Sequence, residues 1–342
     1  MPGRYLGLDL GAFTIKGVEV AEKKKEITLS NAYILPSVPE LFMEGLIGDF
    51  AEASEQVLSL IESGGFVKKK VALSIKGEST RTRMARVPFT DKNRLQRDLM
   101  FIAEQYMQVD LESYSVDYDI IQTDAAIAQA RIAFAAAPKD ALSDYDSIIK
   151  SSNLEVGIID MESYALCNLY EALQYPASDT SLILHTGHTS NLIIFIDYGK
   201  FSYQEASIFG GKHANSLLAN MANLPDDDTI NTLKADPNRS SEAANITNIL
   251  TTHYMNDLYG DIEKIVSKYT LLGGKMPVRG YLSGGAVSLV GLKERLEAEM
   301  KIKFSIMNPA DKLKIESSVA LQLLETRPAV LNVAIGLALR DE

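Results

Sequence analysis

The feature that most constrains the fold of this chain is a pattern that occurs twice: strand, glycine turn, strand, turn, strand. It spans residues 4–35 and again residues 180–208. Apolar runs and apolar–polar alternation predict the strands, and the glycines predict the turns between them. A pattern that recurs in this way indicates an internal structural repeat. The 342 residues are enough for about two domains, so the sequence predicts two related α/β halves.

Composition excludes several classes of protein. Apolar residues make up 46% and charged residues 23% of the chain, as in ordinary globular proteins. No apolar run reaches the roughly 20 residues of a membrane-spanning helix, and residues 1–4 do not open a secretory signal. The single cysteine, Cys167, cannot form an internal disulfide, which favours the cytoplasm. It lies on a predicted helix and is interpreted as a small buried side chain rather than a nucleophile.

Charge is spread unevenly along the chain. The net charge of −11 argues against a nucleic-acid-binding protein. Between residues 68 and 97, however, ten basic residues stand against the acidic Glu78 and Asp91, which gives +8. The basic residues are Lys68, Lys69, Lys70, Lys76, Arg81, Arg83, Arg86, Lys92, Arg94 and Arg97. Two interpretations stay open: solvated faces of strands and helices, or a surface for an acidic partner or anionic lipid.

The order of predicted elements suggests where the halves begin and end. Residues 1–177 are predicted to form the first lobe and 178–342 the second, which carries a helical subdomain over about 212–275. Within the first lobe, residues 78–153 are predicted as an inserted strand–helix–strand–strand–helix subdomain, whose first helix Thr90 can cap. A long helix is predicted over about 240–270 and an apolar helix over about 330–340.

The first glycine turn has the residue types of a phosphate-binding loop. Gly7 and Gly11 flank Asp9, and glycines let backbone amides approach an anion closely. Thr14 can add a hydroxyl and Lys16 a cation. A carboxylate beside phosphates needs a hard cation such as Mg²⁺ between them. The alternative interpretation, an ordinary hairpin with a polar tip, stays open for this turn taken alone.

Three turns together resemble a known superfamily. The segments are Gly7-Leu8-Asp9-Leu10-Gly11, His185-Thr186-Gly187-His188-Thr189 and Leu282-Ser283-Gly284-Gly285-Ala286. Their order, with the repeat, resembles the actin and sugar-kinase ATPases, which implies a nucleotide held in a cleft between two duplicated βββαβαβα lobes. Other segments resemble more closely the type IV pilus assembly protein PilM family, relatives of the cell-division protein FtsA, over nearly the whole chain. These are Glu104-Gln105-Tyr106, Val116-Asp117-Tyr118, Ala135–Lys139, Ile159–Ser163 and Ala334–Arg340.

The resemblance implies ATP or ADP with Mg²⁺ as cofactors, and a role for each matching residue. The first phosphate loop would contain Asp9, Gly11, Ala12, Thr14 and Lys16, with Asp9 as the metal anchor. The second phosphate loop would contain His185, Gly187, His188, Thr189 and Ser190. The ribose turn would be Gly210, Gly211 and Lys212, and the adenosine turn would be Gly284, Gly285 and Ala286. Glu162 falls where the superfamily keeps a polar residue near the metal-bound water. It is equally interpreted as a carboxylate favoured at a helix N-terminus.

His185 departs from the family pattern, because the second phosphate turn of the family usually begins with an aspartate. A neutral imidazole is a poor ligand for a hard ion. We therefore expect nucleotide binding with slow or absent hydrolysis, so that the chain is a scaffold rather than an ordinary enzyme. A transition-metal pair of His185 and His188 is discounted, since the sequence offers no third ligand.

The resemblance implies a cytoplasmic scaffold at the inner membrane in the type IV pilus machine of twitching motility. The inserted subdomain and its neighbour would form a groove for the N-terminal cytoplasmic peptide of a PilN-like membrane protein. Contact with a pilus assembly or retraction ATPase, and self-association, are left open. Two alternatives remain: the cytoplasmic domain of the type II secretion protein GspL, and an active ATPase or sugar kinase.

Overall fold

The computed structural model of the chain describes residues 5–23, 26–43, 45–77, 80–89, 91–124, 126–224, 227–287 and 289–340. The chain forms two compact units. Unit 1 comprises Met1–Asn168, Lys200–Tyr203 and Ala334–Glu342, and unit 2 comprises Leu169–Gly199 and Gln204–Val333. The predicted lobe boundary at residue 177 thus falls within the first segment of unit 2.

The first half of the chain holds ten strands and four helices among the residues that the structure describes. They are β1 (Leu6–Leu10), β2 (Thr14–Lys23), β3 (Glu26–Pro36), β4 (Phe42–Met43), β5 (Leu46–Ile47), α1 (Phe50–Gly64), β6 (Lys70–Ile75), β7 (Arg81–Pro88), α2 (Lys92–Met107), β8 (Tyr114–Asp124), β9 (Gln129–Pro138), α3 (Lys139–Ser151), β10 (Glu155–Met161) and α4 (Glu162–Ala172).

The second half continues with six strands and seven α-helices over its described residues. They are β11 (Thr180–Thr186), β12 (Asn191–Asp197), β13 (Lys200–Ser207), α5 (Gly211–Ala222), α6 (Asp227–Ala235), α7 (Ala243–Asn248), α8 (Met255–Leu271), β14 (Arg279–Gly284), α9 (Leu292–Met300), β15 (Lys303–Ile306), β16 (Lys314–Ile315), α10 (Ser318–Thr326) and α11 (Asn332–Ala338).

Both halves build a sheet of the same topology. In unit 1 five strands follow the order β10-β6-β1-β2-β3, and β6 and β10 run parallel to β1 while β2 runs antiparallel. The second sheet has the order β15-β14-β11-β12-β13, again with β14 and β15 parallel to the first strand of the repeat and β12 antiparallel. The predicted α/β architecture with a duplicated strand arrangement is therefore confirmed.

The inserted subdomain has a sheet and a core of its own. Its strands follow the order β7-β9-β8, all antiparallel, and α2 covers one face. Leu95 and Leu99 of α2 pack with Val87, Ile132 and Phe134 of the sheet. The predicted cap at Thr90 lies outside the described residues, as do the side chains of Lys92, Arg94 and Arg97.

Helix α3 belongs to the main core of unit 1, although the sequence placed it in the inserted segment. Its apolar face, with Tyr145, Ile148 and Ile149, packs in the same cluster as Val57 of α1 and Leu73 of β6. The subdomain core is thus complete at the end of β9. An amphipathic pattern shows which face of a helix is buried, but not which element covers it.

Helix α11 packs on unit 1 through two glycines that permit backbone contact. A Cβ on Gly7 of β1 would overlap the carbonyl oxygen of Ala334, and a Cβ on Gly336 would overlap that of Ala165 in α4. Residues 334–342 are therefore part of unit 1, whereas the sequence analysis assigned them to the second lobe.

The helical part of unit 2 departs from the prediction of one helix over about 240–270. A π-helical segment, Ile249–Tyr254, separates α7 from α8. The wider turn places Tyr254 so that its hydroxyl donates to the carbonyl oxygen of Phe209, 3.0 Å away. Inserted π turns are frequent at functional sites, and this one contacts the residue that precedes the Gly210–Gly211 turn.

Candidate functional site: glycine turns at the ends of parallel strands

The first turn of unit 1 is built around a buried ion pair. Asp9 and Lys16 lie directly opposite each other on β1 and β2, and Lys16 Nζ is 2.7 Å from Asp9 Oδ2. Both side chains are buried. Lys16 Nζ also donates to the carbonyl oxygen of Thr14, and a Cβ on Gly11 would lie 2.8 Å from that oxygen. The residue predicted to anchor a metal is thus already paired with a cation.

The ends of three parallel strands bring further charged residues to the same edge of the sheet. Asp9 lies near the end of β1, Lys76 follows β6, and Glu162 follows β10. Lys76 Nζ is 3.7 Å from Glu162 Oε1. Ligands in open α/β sheets bind at this edge, outside the carboxyl ends of the strands. Sequence reasoning counted Lys76 only within the basic stretch and missed it as a site residue.

Tyr145 of α3 is a second residue that sequence reasoning placed only in the core. Burial raises the pKa of its phenol to about 12, and the charges of Lys76, Asp9 and Glu162 act on it as well. The hydroxyl therefore stays protonated at neutral pH and remains a hydrogen-bond donor. Its position among these charges makes Tyr145 part of the unit 1 site.

The second phosphate turn is held by the turn that precedes α5. The amide of Gly187 donates to the carbonyl oxygen of Ser190 across the turn, where a Cβ on Gly187 would overlap that oxygen. The turn also supports Gly210, whose added Cβ would lie 2.6 Å from His188 O and 2.7 Å from Ser190 N. Glycine is therefore required at both positions for the two backbones to meet.

The N-terminus of α5 uses its first amides to bind the phosphate turn. The amide of Gly211 donates to Gly187 O at 2.9 Å, and that of Lys212 donates to His188 O at 2.7 Å. These amides would otherwise be unsatisfied at a helix start. The predicted ribose turn and the second phosphate turn are thus one backbone-bonded assembly, and the side chain of Lys212 is exposed beside it.

Lys234 of α6 is a further basic group at this assembly. Its Nζ donates to Asn215 Oδ1 at 2.6 Å and to Asn231 Oδ1 at 2.9 Å. It also lies 3.6 Å from the point where a Cβ on Gly211 would stand. No local motif marks Lys234 in the sequence, because the helices that carry Lys234 and Gly211 meet only in the fold.

The third turn, after β14, depends on the conformation of Gly284. Its φ of 93° is left-handed, and a Cβ there would overlap the carbonyl oxygen of Thr186 on β11. The hydroxyl of Thr186 donates to Ser283 O and accepts from the amide of Ala286. Gly285 is exposed, and a Cβ on it would meet nothing within 4 Å. The backbone at Gly285 therefore offers an open, flat surface.

His185 occupies the position in β11 that Asp9 occupies in β1. It lies opposite Leu192 on β12, where Asp9 has Lys16. Its Nδ1 is 3.0 Å from Ser283 Oγ, which also accepts from Asn332 Nδ2 at 3.0 Å. Both members of the ion pair are thus replaced together in the second repeat, and the imidazole joins a buried network of neutral groups.

The structure divides the predicted site residues between the units. Unit 1 holds Asp9, Gly11, Ala12, Thr14, Lys16 and Glu162, and unit 2 holds His185, Gly187, His188, Thr189, Ser190, Gly210, Gly211, Lys212, Gly284, Gly285 and Ala286. Within the described ranges no group of three or more His, Cys, Asp or Glu side chains could hold a metal ion. A Mg²⁺ ion here would need most of its ligands from nucleotide and water.

The basic residues that the structure describes within 68–97 do not share one surface. Lys68 precedes β6 by two residues; its Nζ donates to Val20 O, and burial lowers its pKa. Lys76 follows the other end of that strand, where it pairs with Glu162. Arg81, Arg83 and Arg86 are exposed on β7. Arg81 and Arg83 lie on the face of β7 that also carries Ala85 and Val87, and Arg86 lies on the opposite face.

Comparison with known proteins decides the family. A family model described as type IV pilus assembly protein PilM matches residues 7–342. The chain belongs to the PilM family. This agrees with the resemblance found in the sequence, and the chain is a type IV pilus assembly protein with an actin-like fold. The model that matches is not one for GspL or for a sugar kinase.

Solved structures show the same fold at low sequence identity. A PilM-PilN type IV pilus biogenesis complex aligns with a TM-score of 0.85 at 22% identity, over 99% of this chain and 99% of the other. The ethanolamine utilization protein EutJ from Carboxydothermus hydrogenoformans aligns at 0.58 and 15% identity, over 98% and 89%. MreB 5 of Spiroplasma citri, bound to AMPPNP, aligns at 0.53 and 11% identity, over 97% and 94%.

Two further results concern curated relatives and membrane-spanning helices. No curated protein matches the sequence at a significant level. In the part of the chain that the structure describes, none of the helices combines the length and apolar character needed to cross a bilayer.

Proposed function

We propose that this PilM-family protein is a nucleotide-binding scaffold of the type IV pilus platform that docks the N-terminal peptide of a PilN-like membrane protein. The observation that carries the proposal is the pair of matching sheets, each with glycine turns at the carboxyl ends of its parallel strands. The family match over residues 7–342 supports the pilus role. A protein of the same fold, MreB 5, is described as bound to AMPPNP.

The nucleotide proposed for the turns is ATP or ADP with Mg²⁺. The Gly187–Ser190 turn and Lys234 would take the phosphates, because backbone amides and a lysine amine suit an anion. Gly285 would face the adenine, since its open backbone leaves room for a flat ring. In unit 1, Asp9 and Lys16 are the residues proposed to face Mg²⁺ and a phosphate.

Hydrolysis is proposed to be slow or absent because of His185. A carboxylate at this position would hold the water shell of Mg²⁺, whereas the imidazole bonds to Ser283 and is a poor ligand for a hard ion. Tight binding without turnover suits a scaffold whose shape depends on occupancy rather than on a reaction cycle.

Restoring an acid tests this proposal. We expect His185→Asp to raise Mg²⁺-dependent ATP turnover by about 100-fold, the lower end of what a positioned acid or base contributes. A buried unpaired carboxylate would be costly, so His185→Asp/Leu192→Lys, which recreates the Asp9–Lys16 pairing, is the second variant. Phosphate release is the measurement. A wild-type rate near the enzyme median of about 10 per second, unchanged in both variants, would contradict the proposal.

The peptide groove is proposed on the face of the inserted sheet that α2 leaves uncovered. Cross-strand register aligns Asp117 with Ala135, and Asp119 with Ala133, on this face. The two aspartates are exposed on the edge strand β8, whereas Ala133 is buried and Ala135 packs against the main core of unit 1. Tyr164 of α4 borders the same sheet, because its hydroxyl donates to Phe134 O.

Charge supports a peptide that precedes a membrane span. Cytoplasmic segments next to transmembrane helices carry an excess of Lys and Arg. Such a segment would find complementary carboxylates at Asp117 and Asp119. Attachment of the chain to the inner membrane from the cytoplasmic side would follow from this docking. Contact with a pilus ATPase and self-association remain further proposals.

Reversing these charges tests the groove. We expect Asp117→Lys/Asp119→Lys to weaken binding of the labelled N-terminal peptide of the cognate PilN-like protein by about tenfold or more, which is at least about 1.4 kcal/mol. Fluorescence anisotropy measures it. Glu55→Lys/Glu62→Lys on the exposed face of α1 makes the same charge change in unit 1 and should bind as the wild type does. Equal binding by both variants would show that the peptide does not bind on this face of the inserted sheet.

A further inference from the structure

The carbonyl oxygen of Phe209 is a point where three elements of unit 2 meet. Phe209 directly precedes Gly210 and so opens the ribose turn. Asn191 Nδ2 donates to Phe209 O at 2.6 Å, and the hydroxyl of Tyr254 donates to the same oxygen at 3.0 Å. Asn191 is the first residue of β12 and directly follows the second phosphate turn. One carbonyl oxygen thus joins this turn, the ribose turn and the π-helical segment.

Both donors to this oxygen are buried, which makes the two hydrogen bonds strong. Asn191 and Tyr254 are each 1% exposed. Burial raises the pKa of the Tyr254 phenol to about 12, although a hydrogen bond with the Asn191 side chain opposes the shift. The hydroxyl therefore stays protonated and remains a donor at neutral pH. In a dry interior a hydrogen bond is stronger than in water, and its loss is costly.

The π-helical segment Ile249–Tyr254 ends at the tyrosine that reaches the Phe209 carbonyl. In a π turn the hydrogen bonds span five residues rather than four, and such turns are rare and frequently mark functional sites. Thr252 and His253, just before Tyr254, are exposed, whereas Tyr254 faces inward. The departure from a regular helix thus coincides with a side chain that contacts the predicted ribose turn.

A second set of contacts joins the same elements at the start of α5. His213 Nε2 lies 2.8 Å from Asp257 Oδ2, and these residues belong to the first turns of α5 and α8. The His213 ring centre is 4.9 Å from that of Phe209 and 6.1 Å from that of Tyr254. The first turn of α5 is therefore held by α8 and by the π-helical segment that precedes it.

The position of Phe209 is transmitted to the second phosphate turn through the backbone. Gly210 follows Phe209 and packs so closely on this turn that a Cβ on it would lie 2.6 Å from His188 O. The amide of Gly211 donates to Gly187 O. A shift of the Phe209 carbonyl would therefore move the support of the second phosphate turn. A turn that is already held in shape pays less ordering cost when it binds a ligand.

We propose that Tyr254 is a positioning residue, whose hydroxyl fixes the Phe209 carbonyl and thereby holds the ribose turn and the second phosphate turn in the shape that receives a nucleotide. The effect on nucleotide affinity rests on the proposed function, whereas the effect on the two turns does not. Asn191 donates to the same oxygen, so removal of the Tyr254 hydroxyl loosens the two turns without releasing them.

Hydrogen exchange of the full chain without nucleotide tests the positioning directly. Tyr254→Phe removes the hydroxyl and keeps the buried ring. Tyr269→Phe in α8 is the matched control, because Tyr269 is 3% exposed and its hydroxyl donates to Asp197 Oδ1 at 2.7 Å. We expect amides in residues 208–213 to exchange about fivefold faster in Tyr254→Phe, as for the loss of one buried hydrogen bond, and at the wild-type rate in Tyr269→Phe.

Titration with Mg²⁺-ATP provides the second readout. We expect Tyr254→Phe to bind about fivefold more weakly and Tyr269→Phe to bind as the wild type does, while their urea midpoints fall by similar amounts. Unchanged exchange over residues 208–213 in Tyr254→Phe would overturn the proposal, and so would equally faster exchange in both variants. Faster exchange in Tyr254→Phe alone, with a wild type that binds no nucleotide, would support the positioning and contradict the proposed function.

Discussion

Replacing Gly336 by alanine should destabilise the protein, whereas the same change at Gly260 should stabilise it. Both glycines are inside helices, α11 and α8. Alanine in place of an interior helical glycine ordinarily adds about 1 kcal/mol of stability. At Gly336 the new Cβ would overlap the backbone carbonyl of Ala165, and a backbone cannot move aside as a flexible side chain can. We expect a net loss of about 2–3 kcal/mol, as for other overpacked sites.

The pair of substitutions separates packing from helix propensity. A Cβ on Gly260 meets nothing within 4 Å, so only propensity acts there. Urea unfolding followed by circular dichroism measures both midpoints. A rise in the midpoint for Gly336→Ala would mean that α11 does not pack on α4 at backbone distance. No rise in the midpoint for Gly260→Ala would mean that helix propensity alone does not stabilise this protein at an open helical position.

Replacing Arg340 by methionine should destabilise unit 1 by about 2 kcal/mol. Arg340 Nε lies 3.1 Å from Asp160 Oδ2, although the two are not aligned as a hydrogen bond. The Asp160 side chain is 5% exposed and the Arg340 side chain 38%. Removing one partner of a fully buried pair costs about 3–5 kcal/mol, and partial exposure of Arg340 reduces this. The double variant Arg340→Met/Asp160→Asn replaces the buried carboxylate by a neutral amide. It leaves no unpaired buried charge, so it should recover part of the stability lost in Arg340→Met.

The same variant has a characteristic dependence on pH. Burial raises the pKa of Asp160, and Arg340 opposes that shift. Without Arg340 the folded-state pKa rises further above the unfolded value of about 3.9. A raised pKa means that the folded state binds the proton more tightly than the unfolded state does. Protonation of Asp160 therefore contributes to the free energy of unfolding at low pH, and this contribution is lost as pH rises through the folded-state pKa. The deficit of Arg340→Met should therefore shrink on acidification.

Urea midpoints of the wild type and Arg340→Met, measured at pH values between neutral and the folded-state pKa of Asp160, test both statements. A deficit that is constant over this range would show that Asp160 does not titrate there. A variant as stable as the wild type would show that the ion pair has no role in holding α11.

The sheets were predictable because their signal is local. Apolar runs and glycine turns over residues 4–35 and 180–208 located β1 to β3 and β11 to β13. The strands β4, β5 and β16 have two residues each, too few to show a periodic pattern. The π-helical segment Ile249–Tyr254 went unpredicted because its sequence keeps ordinary helical spacing of apolar residues.

The site was predictable only where a motif marks it. The glycine turns are contiguous in sequence, and the structure shows which of them need glycine. Lys76, Tyr145 and Lys234 carry no motif, because each joins its site only in the fold: Lys76 and Tyr145 in unit 1, and Lys234 beside Gly211 in unit 2. The ion pair of Asp9 and Lys16 follows from the hairpin register, which places the two residues opposite each other.

Calorimetric titration of Mg²⁺-ATP into the full chain tests the central claim most directly. The account predicts one site per chain, and no binding by Gly285→Leu, whose side chain would occupy the proposed adenine surface. That variant should fold as the wild type does, since a Cβ on Gly285 meets nothing within 4 Å, and an unchanged melting temperature checks this. No heat of binding in the wild type, or equal binding by a folded Gly285→Leu, would contradict the account.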